Sequence, residues 1–222
     1  MGIFNQITTL TFRDMHTITR KQVFEAYPII ASLITDFQQQ SFDPEYNDAD
    51  DPLYDALHYH TSGDTQHHGN FIAMLPHDDI QHYPKDLAMH LRALLHDLTC
   101  TQLIILSFIK TDLFGNAQHQ DSRLLQARQL LNRYTGDAAY DEALRTDPDH
   151  LDDLLYAFFW LSRLDGELSE YIFWVDEKQR FCFFICNRGN IHWLSLSSSS
   201  SLSEQLLKKH GFVVGPDIDQ FS

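Results

Sequence analysis

At 222 residues the chain is long enough for one well-buried core and too short for two full-sized domains, and its 43% hydrophobic content, with 16 Phe, excludes wholesale disorder. Its 31 acids against 16 Lys and Arg leave a net charge of -15. That balance repels phosphate backbones, so it argues against direct nucleic-acid binding and suits a basic partner.

The N-terminal stretch MGIFNQITTLTFRDMHTITR has neither a basic start followed by an apolar core nor a small-residue cleavage pattern. No window reaches the roughly 18 apolar residues of a membrane helix. A soluble, cytoplasmic protein without a membrane partner is expected. Thr19 followed by Gln22 reads as a capping box that opens a helix, and Pro28 kinks or divides that helix. Val23, Tyr27, Ile30, Ile34 and Phe37 recur at helical spacing and mark its buried face. The acidic segment SFDPEYNDADD then reads as a surface loop. Asp51 is an N-cap and Pro52 a first helical residue, so a short helix runs through PLYDALHYH.

Further along, NFIAML is strand-like, KDLAMHLRALLHDL is an amphipathic helix and TQLIILSFI is a compact buried strand. SRLLQARQLLNRY, ending at Gly136, and DHLDDLLYAFFWLSRL, ending at Gly166, are helices. In the second, Phe159 and Trp160 widen the apolar stripe, so it is buried on most sides or holds a partner. EYIFWV, RFCFFIC and IHWLSL, joined by the polar turns DEKQ and NRGN, form a β-meander. A serine-rich connection leads to a closing helix, where Ser201 and Glu204 are expected to form a capping box and Gly211 to stand at the C′ position. The expected class is therefore α+β. A mixed sheet ends in a C-terminal antiparallel three-stranded meander and packs against several amphipathic helices. One domain spans 1–222, with a mainly helical part over 1–166 and the meander plus helix over 167–222.

Strong catalytic signatures are missing from the sequence. There is no GxxxxGK[ST] or GxGxxG for phosphates, no GxSxG elbow and no HExxH. Three cysteines make no disulfide framework. On a strand, Cys182 and Cys186 would stand about 13 Å apart, beyond bridging distance.

Two segments remain. HYHTSGDTQHH offers His58, His60, Asp64, His67 and His68 as ligands for zinc or another divalent transition metal, and so a metal-dependent hydrolase. The spacing weakens it: Asp64 lies four residues after His60, where the HxHxDH motif of metallo-β-lactamase-like hydrolases has two. If helical, His58 and His60 point about 200° apart. The second segment is acidic. No Lys or Arg occurs between Lys21 and Lys85, while 11 Asp and Glu do. Asp43, Glu45, Tyr46, Asp48, Asp50, Asp51, Tyr54, Asp55 and Tyr59 combine charge with aromatic anchors. They are the expected partner-binding surface of an immunity or antitoxin-type inhibitor that neutralises a basic toxin or effector by direct binding and needs no cofactor. The final strands, IHWLSLSSS and the short helix resemble the end of one family of toxin-immunity proteins, without that family's Trp-Gly elements. A second acidic run, Asp137 to Asp153, holds seven acids and one Arg.

Overall fold

The computed structural model describes residues 16–48, 50–59, 68–216 and 219–221. Strand β1 (His16–Ile18) runs into Thr19, which closes the expected capping box with Gln22 and starts α1 (Arg20–Ala26). Pro28 divides the helix. It has no N–H to donate, and Tyr27 before it leaves helical geometry at φ -128 and ψ 81, so α2 (Pro28–Ser41) begins afresh. Asp51 then accepts from Leu53 N at 2.9 Å and caps a 3₁₀ helix, Pro52–Tyr59.

After β2 (Gly69–Met74), α3 (Tyr83–Asp97), β3 (Leu103–Ser107) and α4 (Ser122–Thr135), the chain turns at Gly136, whose φ of 75 is left-handed. β4 (Ala143–Thr146) follows inside the second acidic run, where no strand was expected. Then come α5 (Leu151–Leu164), β5 (Ile172–Asp176), β6 (Phe181–Ile185), β7 (Ile191–Ser195), α6 (Glu204–Lys209) and β8 (Val213–Val214). The cap of α6 is Ser203, whose side chain accepts from Leu206 N, and not the expected Ser201–Glu204 box. Glu204 is already inside the helix and pairs instead with Lys208 at 2.5 Å.

The strands form one sheet in the order β1-β4-β3-β5-β6-β7-β2-β8. The α+β class stands, and β5, β6 and β7 are the meander. A mixed sheet is not what forms, because every described pairing is antiparallel. The strand-helix-strand run of β2, α3 and β3 does not make a neighbouring pair of strands. Those two strands do run the same way, but β5, β6 and β7 lie between them. Strands that follow residue 166 thus pair directly with strands that precede it, β5 with β3 and β7 with β2.

Alternation along the strands shows why the sheet needs cover on both faces. Leu103, Ile105, Trp174, Phe181, Phe183 and Trp193 join α3, α4, α5 and α6 in one core. Ile104, Leu106, Phe173, Val175, Cys182 and Phe184 join α1, α2 and the 3₁₀ helix in the other. Helix α5 is enclosed by the sheet, α3 and α4, which is why Phe158, Phe159 and Trp160 are all buried in succession. Phe158 meets Trp174 edge-on at 5.7 Å. Each such side chain contributes roughly 1.5–3 kcal/mol of burial. On the α1–α2 face the cover stops short of the far strands, leaving Ile72 46% and Val213 41% exposed. No described helix is long and apolar enough to cross a membrane.

Candidate functional site

The acidic loop between α2 and the 3₁₀ helix is shaped by its own side chains. Asp43 accepts from Glu45 N at 2.9 Å, Asn47 accepts from Asp43 N at 2.9 Å and Asp48 accepts from Asp50 N at 3.2 Å. The two Asx turns and the Asn47 contact shape the loop, in which Asp43, Glu45, Asp48 and Asp50 are exposed. Among the described residues no cation comes within ion-pair distance of them or of Asp51. Tyr46 stands out of this loop, 84% exposed.

The rest of the expected surface serves the fold. Tyr54 is buried and meets Phe42 edge-on at 5.1 Å, while half-buried Tyr59 packs on Phe24 at 5.2 Å. Asp55 receives the guanidinium of Arg20, itself 1% exposed, through Nε at 2.7 Å and Nη2 at 2.9 Å. Arg20 Nη1 also donates to Ser107 O, and Gln38 donates to Asp55 and Phe108 O while accepting from Ala56 N. This network ties the 3₁₀ helix to α1, α2 and the end of β3. Tyr54 and Asp55, expected at the docking surface, thus have internal partners for their side chains.

Most of the second acidic run is taken up internally, with Asp137 and Asp149 left exposed. Glu142 meets Lys110 and Arg20 N, Asp147 caps the 3₁₀ turn before α5, Asp152 pairs with Arg92 and Asp153 accepts from Tyr134. Arg145 within the run pairs with Glu177. The two runs look alike in composition and differ in what surrounds them.

Of the histidine cluster, His60, Asp64 and His67 lie outside the described residues. His58 and His68 are exposed, and His68 N donates to Ser195 O at the end of β7. No group of three His, Cys, Asp or Glu side chains suited to a metal ion occurs among the described residues.

A cavity of about 380 Å³ opens where the C-terminal end of α5 meets the β6–β7 hairpin. His192 and Phe184, cross-strand neighbours, stack face to face at 4.6 Å, and Tyr171 meets Phe184 edge-on at 5.0 Å. Burial holds the His192 imidazole below its ordinary value, against the pull of Asp219, so the ring is neutral at neutral pH. Burial and the adjoining Glu170 carboxylate push the Tyr171 phenol up. Asp165, 4% exposed, accepts from Asn116 N at 2.7 Å and Glu167 N at 3.1 Å and faces Arg128 at 3.3 Å. Gly115, with a φ of +64, lies against it, and a Cβ there would come within 2.4 Å of Asp165 Oδ2.

Cys186 also lines the cavity as a free thiol. No hydrogen bond joins it to His192, so the two do not form the hydrogen-bonded nucleophile and base that covalent catalysis requires. The lining residues come from a helix end, a loop and a hairpin, all between Ser162 and His192. Only the acids flanking the aromatic strand EYIFWV hinted at them. Comparison with protein-family models, with curated proteins and with solved structures returns no match.

Proposed function

We propose that this chain is a protein-binding module whose acidic loop, residues 43–51, docks against a basic partner, in the manner of an immunity or antitoxin-type inhibitor. The observation that carries the proposal is Tyr46, 84% exposed among carboxylates that have no ion-pair partner among the described residues, in a chain that engages most of its second acidic run internally. Unpaired surface carboxylates raise the rate of encounter with a cationic cleft. An exposed tyrosine supplies a large, amphipathic anchor at low conformational cost. The Asx turns fix the loop beforehand and reduce the ordering penalty of binding.

The test starts from a partner retained on the immobilised chain from its native cells, purified and titrated by calorimetry. Asp51 is left intact because it caps the 3₁₀ helix. Replacing Asp43, Asp48 and Asp50 together by Lys is expected to weaken affinity by about 100-fold or more, and Tyr46→Ala by about tenfold. Unchanged affinity in both variants, with the fold verified by circular dichroism, would overturn the assignment.

A further inference from the structure

We propose that the cavity between α5 and the β6–β7 hairpin is a recognition site for an organic cation, a guanidinium or primary ammonium group. The cavity is independent of the acidic loop and formed by different elements. Its volume of about 380 Å³ sits near the lower end of ligand pockets and suits one amino-acid-sized group. Its charge has one sign. Asp165 and Glu170 line it, and no Lys or Arg does. Arg128 and two backbone N–H groups already hold Asp165, whereas Glu170 is exposed, is hydrogen-bonded to the Tyr171 phenol and has no ion-pair partner among the described residues. The neighbouring cation, Arg163, is engaged with Asn187 O at 2.7 Å and lies 5.8 Å from the Phe221 ring centroid, outside the cavity lining.

Two further features add to the acids. The last turn of α5, including Ser162, contributes the partial negative charge of a helix C-terminus. Tyr171, Phe184 and His192 supply aromatic surface, which attracts cations through the ring quadrupole. The imidazole opposes none of this, because burial keeps it neutral. An anion would meet two carboxylates and a helix C-terminus, with no Lys or Arg in the lining to offset them. A transition metal would lack a third ligand among the described residues.

The same chemistry is presented by a free amine and by an Arg or Lys side chain of a protein. Argininamide, the neutral control Nα-acetyl-citrullinamide (hereafter citrullinamide) and a blocked Gly-Gly-Arg-Gly-Gly peptide distinguish these sources. They are titrated into the full chain while the ring resonances of Tyr171 and His192 are followed by NMR. Argininamide is expected to shift both rings and saturate in the low-millimolar range, and citrullinamide to shift neither. Glu170→Gln, at an exposed position, is expected to weaken argininamide by about threefold or more. Replacing Asp43, Asp48 and Asp50 by Lys is expected to leave it unchanged, so that this site and the loop fail or stand separately. Tighter binding of the peptide than of argininamide identifies a protein side chain as the ligand, and the reverse order a free amine; both support a cation site. Equal shifts with citrullinamide, shifts confined to residues 43–51, or no effect of Glu170→Gln would overturn it.

Discussion

Asp48 and Asp55 carry the same charge seven positions apart, and their surroundings give them opposite duties. Asp55 answers a guanidinium that is 1% exposed, so its removal leaves Arg20 buried and uncompensated. Breaking such a pair costs about 3–5 kcal/mol, and the lower figure applies here because the Asp55 side chain retains 19% exposure. Asp55→Ala is therefore expected to lower the urea-unfolding free energy by about 3 kcal/mol, while Asp48→Ala stays within about 0.5 kcal/mol. Equal effects of the two substitutions would contradict the division of the acidic segment into docking and structural residues. That division was not legible in the sequence. Tyr46, Tyr54 and Tyr59 all sit among acids, and only the three-dimensional placement of Phe42 and Phe24 decides which rings are covered. Arg20, placed just before a long stretch without basic residues, was the available clue to a buried ion pair.

Local signals predicted elements well wherever they were long or capped. The Thr19–Gln22 box, the break at Pro28 and the left-handed Gly136 all follow from backbone chemistry that acts over three or four residues. Strands β1, β4 and β8 have three, four and two residues, too few for alternation to show, and they form because a neighbouring edge offers unpaired backbone groups.

Docking of α6 is also a tertiary matter. Asp97 at the end of α3 receives Lys209 at 2.6 Å and His210 at 2.9 Å, and His90 Nδ1 contacts His210 O at 2.7 Å. The hydrogen bonds from Lys209 and His210 hold the Asp97 carboxyl down at about 2, against an ordinary 3.8. A depressed carboxyl contributes stability that is complete above its unfolded value and lost as pH falls through its folded one. The α6 contact is thus expected to weaken between about pH 4 and pH 2, read as loss of the Lys209 and His210 backbone NMR shifts from their folded positions. Asp97→Asn should show a loosened α6 already at neutral pH and no such transition in that window. A wild-type-like acid profile in the variant would assign the docking to the apolar contacts of Leu207 and Phe212 alone.

Across the whole molecule, the sheet divides two cores, and the sites lie at its margins. The acidic loop crosses one end of the α1–α2 layer, and the cavity opens where α5 gives way to the hairpin. The alternating faces of β3 and β6 made the two-sided burial legible. The cavity was not, because no local pattern records that a helix end and a hairpin turn will meet. With a net charge of -15, association with a cationic partner should be steered over long range. Its rate constant is therefore expected to fall by about tenfold or more between 10 mM and 150 mM salt, as the Debye length shortens from about 30 Å to about 8 Å. A salt-independent rate in stopped-flow measurements would mean that the unpaired acids do not guide the encounter. The most direct test of the docking surface is hydrogen exchange on the complex with its purified partner. Protection of the backbone amides of residues 43–53, with β2 and β8 exchanging as in the free chain, is the predicted result; protection confined to the open face around Ile72 and Val213, with residues 43–53 unaffected, would contradict it.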